Sequence, residues 1–346
     1  MKIKWNFLKI RLFFVYIVMV LIIFFSFLGI RDFYARRLNI KAINCSDNTM
    51  RIDIFLHAID INPRNPIYYI NSSSAYALSD TNSFFELFLQ GKRIESEVLN
   101  HALWYAQKAL QIDSTNVLFC QIASIICCLK GNVISAKSLL ECHNDKMSLI
   151  IKGIMAENDF LIDEALCYYS RALAIAPDIV HSRFFKDLSI RNNSLATCVI
   201  ANAADLLEEE YGVTQSVIVL AKMGKIMLVA GDLNKACDIL CDVVRQLPNM
   251  NRPYLYLGNI AEARNDTLLA LEYYETATML DKTDLLALYY LNKLKDKKSE
   301  SIVNYIKERK IVTIQYSTSY IYNARLMNNK FVDGIKDYIS PMLEHI

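Results

Sequence analysis

The sequence predicts an all-α chain: one N-terminal transmembrane helix, then a solenoid of antiparallel helix pairs. Three observations carry this. Only 9 Gly and 6 Pro occur in 346 residues, a scarcity that favours helices joined by short turns over sheets and Gly-rich nucleotide loops. Leu12–Ile30 (LFFVYIVMVLIIFFSFLGI) is a run of nineteen residues without a charge. Three stretches write much the same helix: EALCYYSRALAIAP at Glu164–Pro177, KACDILCDVVRQLP at Lys235–Pro248 and LALEYYETATMLDK at Leu269–Lys282.

The apolar run comes first in the chain. A helix of that length spans roughly 30 Å, the thickness of the hydrocarbon core of a bilayer. Buried core helices rarely run so far without a polar face. A cleaved signal peptide usually has a shorter apolar stretch with a small-x-small site after it, and no such site follows here. The expectation is an uncleaved single-pass anchor at 12–30, after a short basic tail at 1–11 and before a juxtamembrane linker at 31–50. Lys2, Lys4, Lys9 and Arg11 precede the span, and Arg31, Arg36, Arg37 and Lys41 follow it. Four against four leaves the positive-inside rule nearly silent. A short tail ahead of a lone span suggests a bacterial inner-membrane protein with its large domain on the non-cytoplasmic side. The cysteines pull the other way. Nine is an odd number, and an oxidising compartment usually selects pairs or none.

The repeats occupy 51–298. Ala102 and Ala136 are 34 apart, as are Ala236 and Ala270, with Asn304 in a weaker copy 34 further on. Ala165 and Thr197 fall between them at less regular spacings. Within one unit, Val217–Met250, the first helix carries Leu220, Met223, Gly224 and Met227, and Gly231-Asp232 makes the turn. The second helix carries Ala236, Leu240 and Val243, and Pro248 ends it. The next unit, Asn251–Asp284, repeats this with Tyr254, Leu257, Gly258, Ala261, Ala270, Tyr274 and Ala277. Residues at i, i+3, i+4 and i+7 share a helix face. The small residues let two helices approach, the larger ones fill the space beside them, and proline stops the helix. One pair cannot bury its apolar face alone, whereas stacked pairs bury a continuous core.

Other segments fit this frame. IDIFLHAIDINP reads as the end of a second helix and Asn65-Pro66 as the start of a first one. Its partner, Glu97–Ile112, follows only after an apolar insertion at 80–96. That insertion is read as a buried flap or as a hairpin for a membrane surface or partner. Val180–Gly212 is a divergent pair with Ser194 as its N-cap and Glu208–Glu210 at its end. Residues 299–346 form a degenerate last repeat and cap.

Units Val217–Met250 and Asn251–Asp284 resemble the tetratricopeptide repeat (TPR) family, and Val117–Leu140 also fits. The family's Trp-Leu-Gly opening stands here as Leu220, Met223, Gly224 and as Tyr254, Leu257, Gly258. The resemblance implies a right-handed α-solenoid whose first helices line a concave groove for an extended or helical peptide. Carried over position by position, the groove residues are Ile218, Ala221, Lys225, Leu228 and Val229, then Arg252, Leu255, Asn259, Glu262 and Ala263, then Leu286, Tyr289 and Lys293. Ala221 and Leu255 stand where the family's carboxylate clamp wants a cation, so that clamp is absent. What remains is a largely apolar groove with Lys225, Arg252 and Lys293 along it. An apolar segment with some acidic character would suit it, unless the chain fills the groove itself.

Little else carries chemistry. The 38 basic and 36 acidic residues leave a net charge of +2, which argues against a nucleic-acid surface. The five histidines are scattered, and no phosphate-loop, dinucleotide or nucleophile-elbow motif occurs. Cys142-His143 sits in a polar turn without a third orienting group. Cys237 and Cys241 lie four apart but lack further ligands at metal spacing. No cofactor, metal or small-molecule substrate is expected. Sequons at Asn44, Asn71, Asn192 and Asn265 do not establish secretion. The expected function is that of a non-catalytic, membrane-tethered scaffold or adaptor for protein–protein interaction. The alternative, by analogy alone, is an accessory protein of bacterial envelope polysaccharide assembly or export.

Overall fold

In a computed structural model, the described residues are 19–20, 27–80, 84–94 and 96–295. The basic tail, most of the Leu12–Ile30 span, Asn304 and the expected cap at 299–346 lie outside them. Among the described residues no helix is long and apolar enough to cross a membrane. The elements described are all helical and form two compact units, one ending at Leu139 and the other starting at Leu140.

The first unit opens with α1 (27–43) and α2 (Asn48–Ile61). Residues 31–50, expected to be a linker, are therefore helical over most of their length. The reason is packing. Ala35 meets Ala58 and Tyr68 in one core cluster, and Ala42 meets Phe55 and Ala75 in another. Buried Asn71 donates to Asn39 Oδ1 at 2.8 Å, so the sequon at Asn71 is closed off by the fold. Asp47 caps α2 by accepting from the Thr49 and Met50 N–H groups at 2.9 and 3.4 Å.

Next comes α3 (Pro66–Asp80), with proline in its first turn, where a missing N–H costs nothing. It packs chiefly against α5 (Glu97–Ile112) across the insertion. The insertion contributes a short helix, α4 (Phe84–Leu89), that puts Phe88 into the interior against α6 (Val117–Leu129). Its Ile94 N–H donates to the Leu129 carbonyl at 2.7 Å. Small residues permit close helix approach here too: Ser73 Oγ donates to the Ala102 carbonyl at 2.6 Å and Ser124 Oγ to that of Ala136 at 3.0 Å. Ala136 belongs to α7 (Val133–Leu140).

The second unit runs through α8 (Lys146–Asn158) and α9 (Ile162–Ile175), a 3-10 turn at Pro177–His181, then α10 (Arg183–Arg191) and α11 (Asn193–Thr214). It continues with α12 (Val217–Val229), α13 (Leu233–Gln246), α14 (Asn251–Ala263), α15 (Thr267–Leu280) and α16 (Leu285–Leu294). Three glycines on first helices face one bulky residue each on the second. A Cβ at Gly153 would come 2.2 Å from the Tyr169 ring, at Gly224 2.8 Å from Leu240, and at Gly258 2.4 Å from the Tyr274 ring. Ala165, Tyr169 and Ala172 are buried as the packing positions of α9, and Pro177 follows its end.

The turns inside four of the pairs are also alike. Counting from the first residue of α6, α8, α12 and α14, the fifteenth is Gly131, Phe160, Gly231 and Asn265, with φ of 79°, 60°, 84° and 62°. The N–H after each reaches back to a carbonyl near the end of the first helix: Asn132 to Cys127, Leu161 to Ala156, Asp232 to Met227 and Asp266 to Ala261, at 2.8–3.0 Å. That is the left-handed helix stop usually reserved for glycine. The divergent pair differs from expectation. Asn192, not Ser194, caps α11 by accepting from the Leu195 N–H at 3.0 Å. The helix also runs past Gly212 to Thr214, and Glu208 meets Lys235 at 3.7 Å.

Candidate functional site

The first helices of the second unit meet at the turn Pro177–His181. Proline follows the end of α9, and Ser182 closes the turn while capping α10, its Oγ accepting from the Phe185 N–H at 3.2 Å. Held this way, the turn touches α12 as well as α9 and α10. Asp178 Oδ1 accepts from Tyr256 Oη on α14 at 3.1 Å. His181 Nε2 lies 2.8 Å from Lys225 Nζ on α12. With the lysine charged, this contact needs a neutral imidazole carrying its proton on Nδ1. The Lys225 ammonium also sits 4.3 Å from the centre of the Tyr256 ring, a cation–π distance.

The Asp178 carboxylate favours the charged forms of Lys146, at the start of α8, Lys225 and Arg252. Lys225 is 3% exposed. Burial pulls its ammonium down to about 8, with Arg252 adding to the shift and Asp178 opposing it. Burial pushes the Tyr256 phenol well above its ordinary range, and Asp178 pushes it further. Burial works to lower Arg252 too, but Asp284, Tyr256 and Asp178 outweigh it and the guanidinium ends up raised. Arg252 Nε is 3.3 Å from Asp284 Oδ2, which also accepts from Asn251 Nδ2 at 2.9 Å. The other oxygen of Asp284 caps α16, accepting from the Leu286 and Ala287 N–H groups at 3.1 and 3.3 Å.

A second cluster stands beside the first. Tyr274 Oη is within hydrogen-bond reach of Asn259 Oδ1 (2.8 Å) and Glu262 Oε2 (3.0 Å), and Glu262 Oε1 pairs with Lys293 Nζ at 2.9 Å. That bond raises the Lys293 ammonium above its ordinary value. The Tyr274 ring stacks on Tyr290 with centroids 5.3 Å apart.

The predicted groove residues thus divide. Ile218 is 58% exposed, Lys293 and Ala263 are exposed, and Leu228, Val229, Arg252, Asn259, Glu262 and Leu286 are half-buried. Ala221, Lys225, Leu255 and Tyr289 are buried among the helices, so a partner does not reach them directly. The structure sets Lys225 on His181 and Tyr256, pairs Arg252 with Asp284, and joins Asn259 and Glu262 through Tyr274, with Lys293 on Glu262. Sequence reasoning missed Asp178, His181, Tyr256 and Asp284. Asp178 follows the proline that marks a helix stop, and nothing local signals that a linker residue reaches α14.

Among the described residues no group of three or more His, Cys, Asp or Glu is placed to hold a metal ion. Cys142 is exposed, and the backbone carbonyl of His143 accepts from Lys152 Nζ at 2.8 Å. Cys237 and Cys241 are half-buried neighbours on α13; burial, and then Cys237, raise the Cys241 thiol.

No family model and no curated protein matches the chain. Among solved structures it is similar to YrrB, described as a TPR protein with an unusual peptide-binding site, at 19% identity over 68% of this chain and 96% of that one, with a TM-score of 0.28. It is similar to yeast Tom70 at 15% identity over 80% of this chain and 62% of the other, TM-score 0.35. It is similar also to the human IFIT1 dimer with m7Gppp-AAAA, at 13% identity, 84% and 66% coverage, and TM-score 0.35. Likeness at that level carries no argument about what this chain does. Its own paired helices, with small-to-large contacts across each pair and a left-handed residue in the turns, make the fold TPR-like.

Proposed function

We propose that the chain is a non-catalytic scaffold that binds a protein or peptide partner along the first-helix face of its second unit. A membrane tether at Leu12–Ile30 holds it in place, with the helical units on the non-cytoplasmic side. The observation that supports binding is the pattern of exposure on α12, α14 and α16. Most side chains on α12 and α14 are buried by packing, yet Ile218 is left 58% exposed, with Arg252, Asn259, Glu262 and Lys293 also reachable. An exposed apolar side chain on α12, with Arg252 on α14 and Lys293 on α16 also reachable, suits a partner of mixed apolar and acidic character. The tether rests on the nineteen uncharged residues and raises the local concentration of the scaffold near other membrane components.

A photo-crosslinking residue at 218 tests the binding surface in cells expressing the full chain. The expected result is a discrete crosslinked protein from position 218 and none from position 160, which is 88% exposed on a different part of the unit. Equal labelling from both positions would sink the reading. The tether is tested by fractionation of a chain lacking 12–30, which should leave the membrane pellet. Labelling of exposed Cys142 in intact cells by a membrane-impermeant maleimide reports the side.

A further inference from the structure

We propose that the outward face of α1 is a membrane-docking surface: it lies along the anionic headgroup layer of a bilayer and holds the first unit against it. The proposal rests on the membrane tether put forward above and adds how the first unit sits on the lipid.

Three observations carry it. The first is that α1 belongs to the unit and is not a free linker. Its inner side is packed: Ala35 against Ala58 and Tyr68, Ala42 against Phe55 and Ala75, and Asn39 bonded to Asn71. Whatever orients α1 therefore orients α2 and α3 with it. The second is what the opposite side carries. Ile30, Phe33, Tyr34, Arg37, Ile40 and Lys41 follow one another at helical spacing on one face, and all six are exposed. Single apolar side chains on a surface are ordinary. Four large ones on one face, opposite a packed face, mark a surface that something covers. The third is charge. Arg36 is paired with Asp32 at 2.7 Å, whereas Arg37 and Lys41 share the apolar face and Arg31 stands at its edge, all three exposed. Apolar side chains that enter the headgroup–acyl boundary, with long cationic ones reaching the lipid phosphates, are the pattern of a helix lying in a membrane interface.

The preceding chain identifies the occupant. The uncharged run Leu12–Ile30 ends inside the first turn of α1, since residues 27–30 belong to both. The helix thus starts at the membrane boundary and can stand upright or lie along it. Standing upright, it would carry Ile40 roughly 15 Å beyond Ile30, at about 1.5 Å per residue. The headgroup layer of one leaflet is only roughly 5–8 Å deep, so Ile40 and Lys41 would be left in water. Lying along the surface, all six side chains meet the interface at one depth, and the cations face lipid phosphates.

The test places a photo-crosslinking residue at 33, 40 or 134 in the full chain, reconstituted into vesicles of phosphatidylcholine with phosphatidylglycerol, and reads lipid adducts by mass spectrometry. Position 134 is the control, an exposed site on α7 of the same unit. Adducts are expected from 33 and 40 and none from 134. Arg37→Gln and Lys41→Gln, in the chain labelled at 40, should each lower its adduct about fivefold, and vesicles of phosphatidylcholine alone should lower it further. If the chain floats with the vesicles but 40 labels no lipid, α1 does not lie on the surface: the tether survives and this proposal falls. If 40 crosslinks to a second copy of the chain instead, the face is an interface between copies and the proposal falls likewise. Unchanged labelling at 40 without phosphatidylglycerol would refute the anionic surface. If the chain does not float with the vesicles at all, the tether and this proposal fall together.

Discussion

Replacing Gly258 with alanine adds one methyl group at the tightest point of the α14–α15 pair. The new Cβ would lie 2.4, 2.6 and 3.0 Å from Cε1, Cδ1 and Cζ of Tyr274. Carbon atoms prefer separations of about 3.5–4.0 Å, so the overlap is about 1 Å. The ring has nowhere to go. It is fully buried, its hydroxyl is held by Asn259 and Glu262, and its far face stacks on Tyr290. Overpacking of this kind costs about 1–3 kcal/mol, and a ring fixed at both ends belongs at the upper end. Alanine returns about 1 kcal/mol through helix propensity. The net loss is about 2 kcal/mol, which at about 2–4 °C per kcal/mol lowers the melting temperature by about 4–8 °C. Gly224→Ala is the internal control. Its Cβ meets the Leu240 Cδ2 and Cγ atoms at 2.8 Å and Ile239 Cγ2 at 3.1 Å, a shallower overlap than at Gly258, so its cost should be the smaller of the two. Thermal melts of both variants by far-ultraviolet circular dichroism decide, with Gly258→Ala/Tyr274→Leu expected to recover part of the loss. A Gly258→Ala chain as stable as the parent, or a Gly224→Ala chain equally damaged, would falsify the packing account.

Further outcomes follow from other parts of the fold. Phe160 sits at φ 60° with its side chain 88% exposed; Phe160→Gly removes a left-handed strain of about 1–2 kcal/mol without losing packing, so denaturant midpoints should rise. Lys225 has a folded pKa of about 8, below its unfolded value near 10.5, so the folded state sheds the proton first and stability rises with pH between those values. Lys225→Met should therefore stabilise the chain most below pH 8, and the advantage should fade towards pH 10.5. Asp284→Ala removes the α16 cap and the carboxylate beside Arg252. Because Arg252 stays partly solvated, the loss should be about 2 kcal/mol in chemical denaturation rather than the full cost of an orphaned buried charge. Thiol titration should find Cys142, Cys167 and Cys198 reactive in the folded chain, and Cys120 and Cys127 silent until it unfolds.

The repeat was legible because it is written in local spacing. Ala102, Ala136, Ala236 and Ala270 all prove fully buried, and Gly258 meets Tyr274 as a small residue facing a large one. Helix α1 was not legible. Its core side contributes Ala35, Asn39 and Ala42, too small and too polar a set to announce an amphipathic helix beside a long apolar run. The cap of α11 was misread by two residues, since Asn192, Asn193 and Ser194 stand in a row and all can cap. The charged cluster escaped for another reason. Local pattern reports which side chains share a helix face, and it carries nothing about a linker aspartate that meets a tyrosine 78 residues away.

That same bond bears on how the second unit comes apart. A stack in which every pair touches only its neighbours unfolds as a linear array, fraying from an end one pair at a time. The Asp178–Tyr256 bond ties the connection after α9 to α14, so loss of α14 loosens a segment far earlier in the chain. The second unit should melt as a block between those two points, and a chain cut after α13 should show fast amide exchange at Ile179 and Ser182, although it still contains the Ala176 and Ile179 carbonyls those amides bond to.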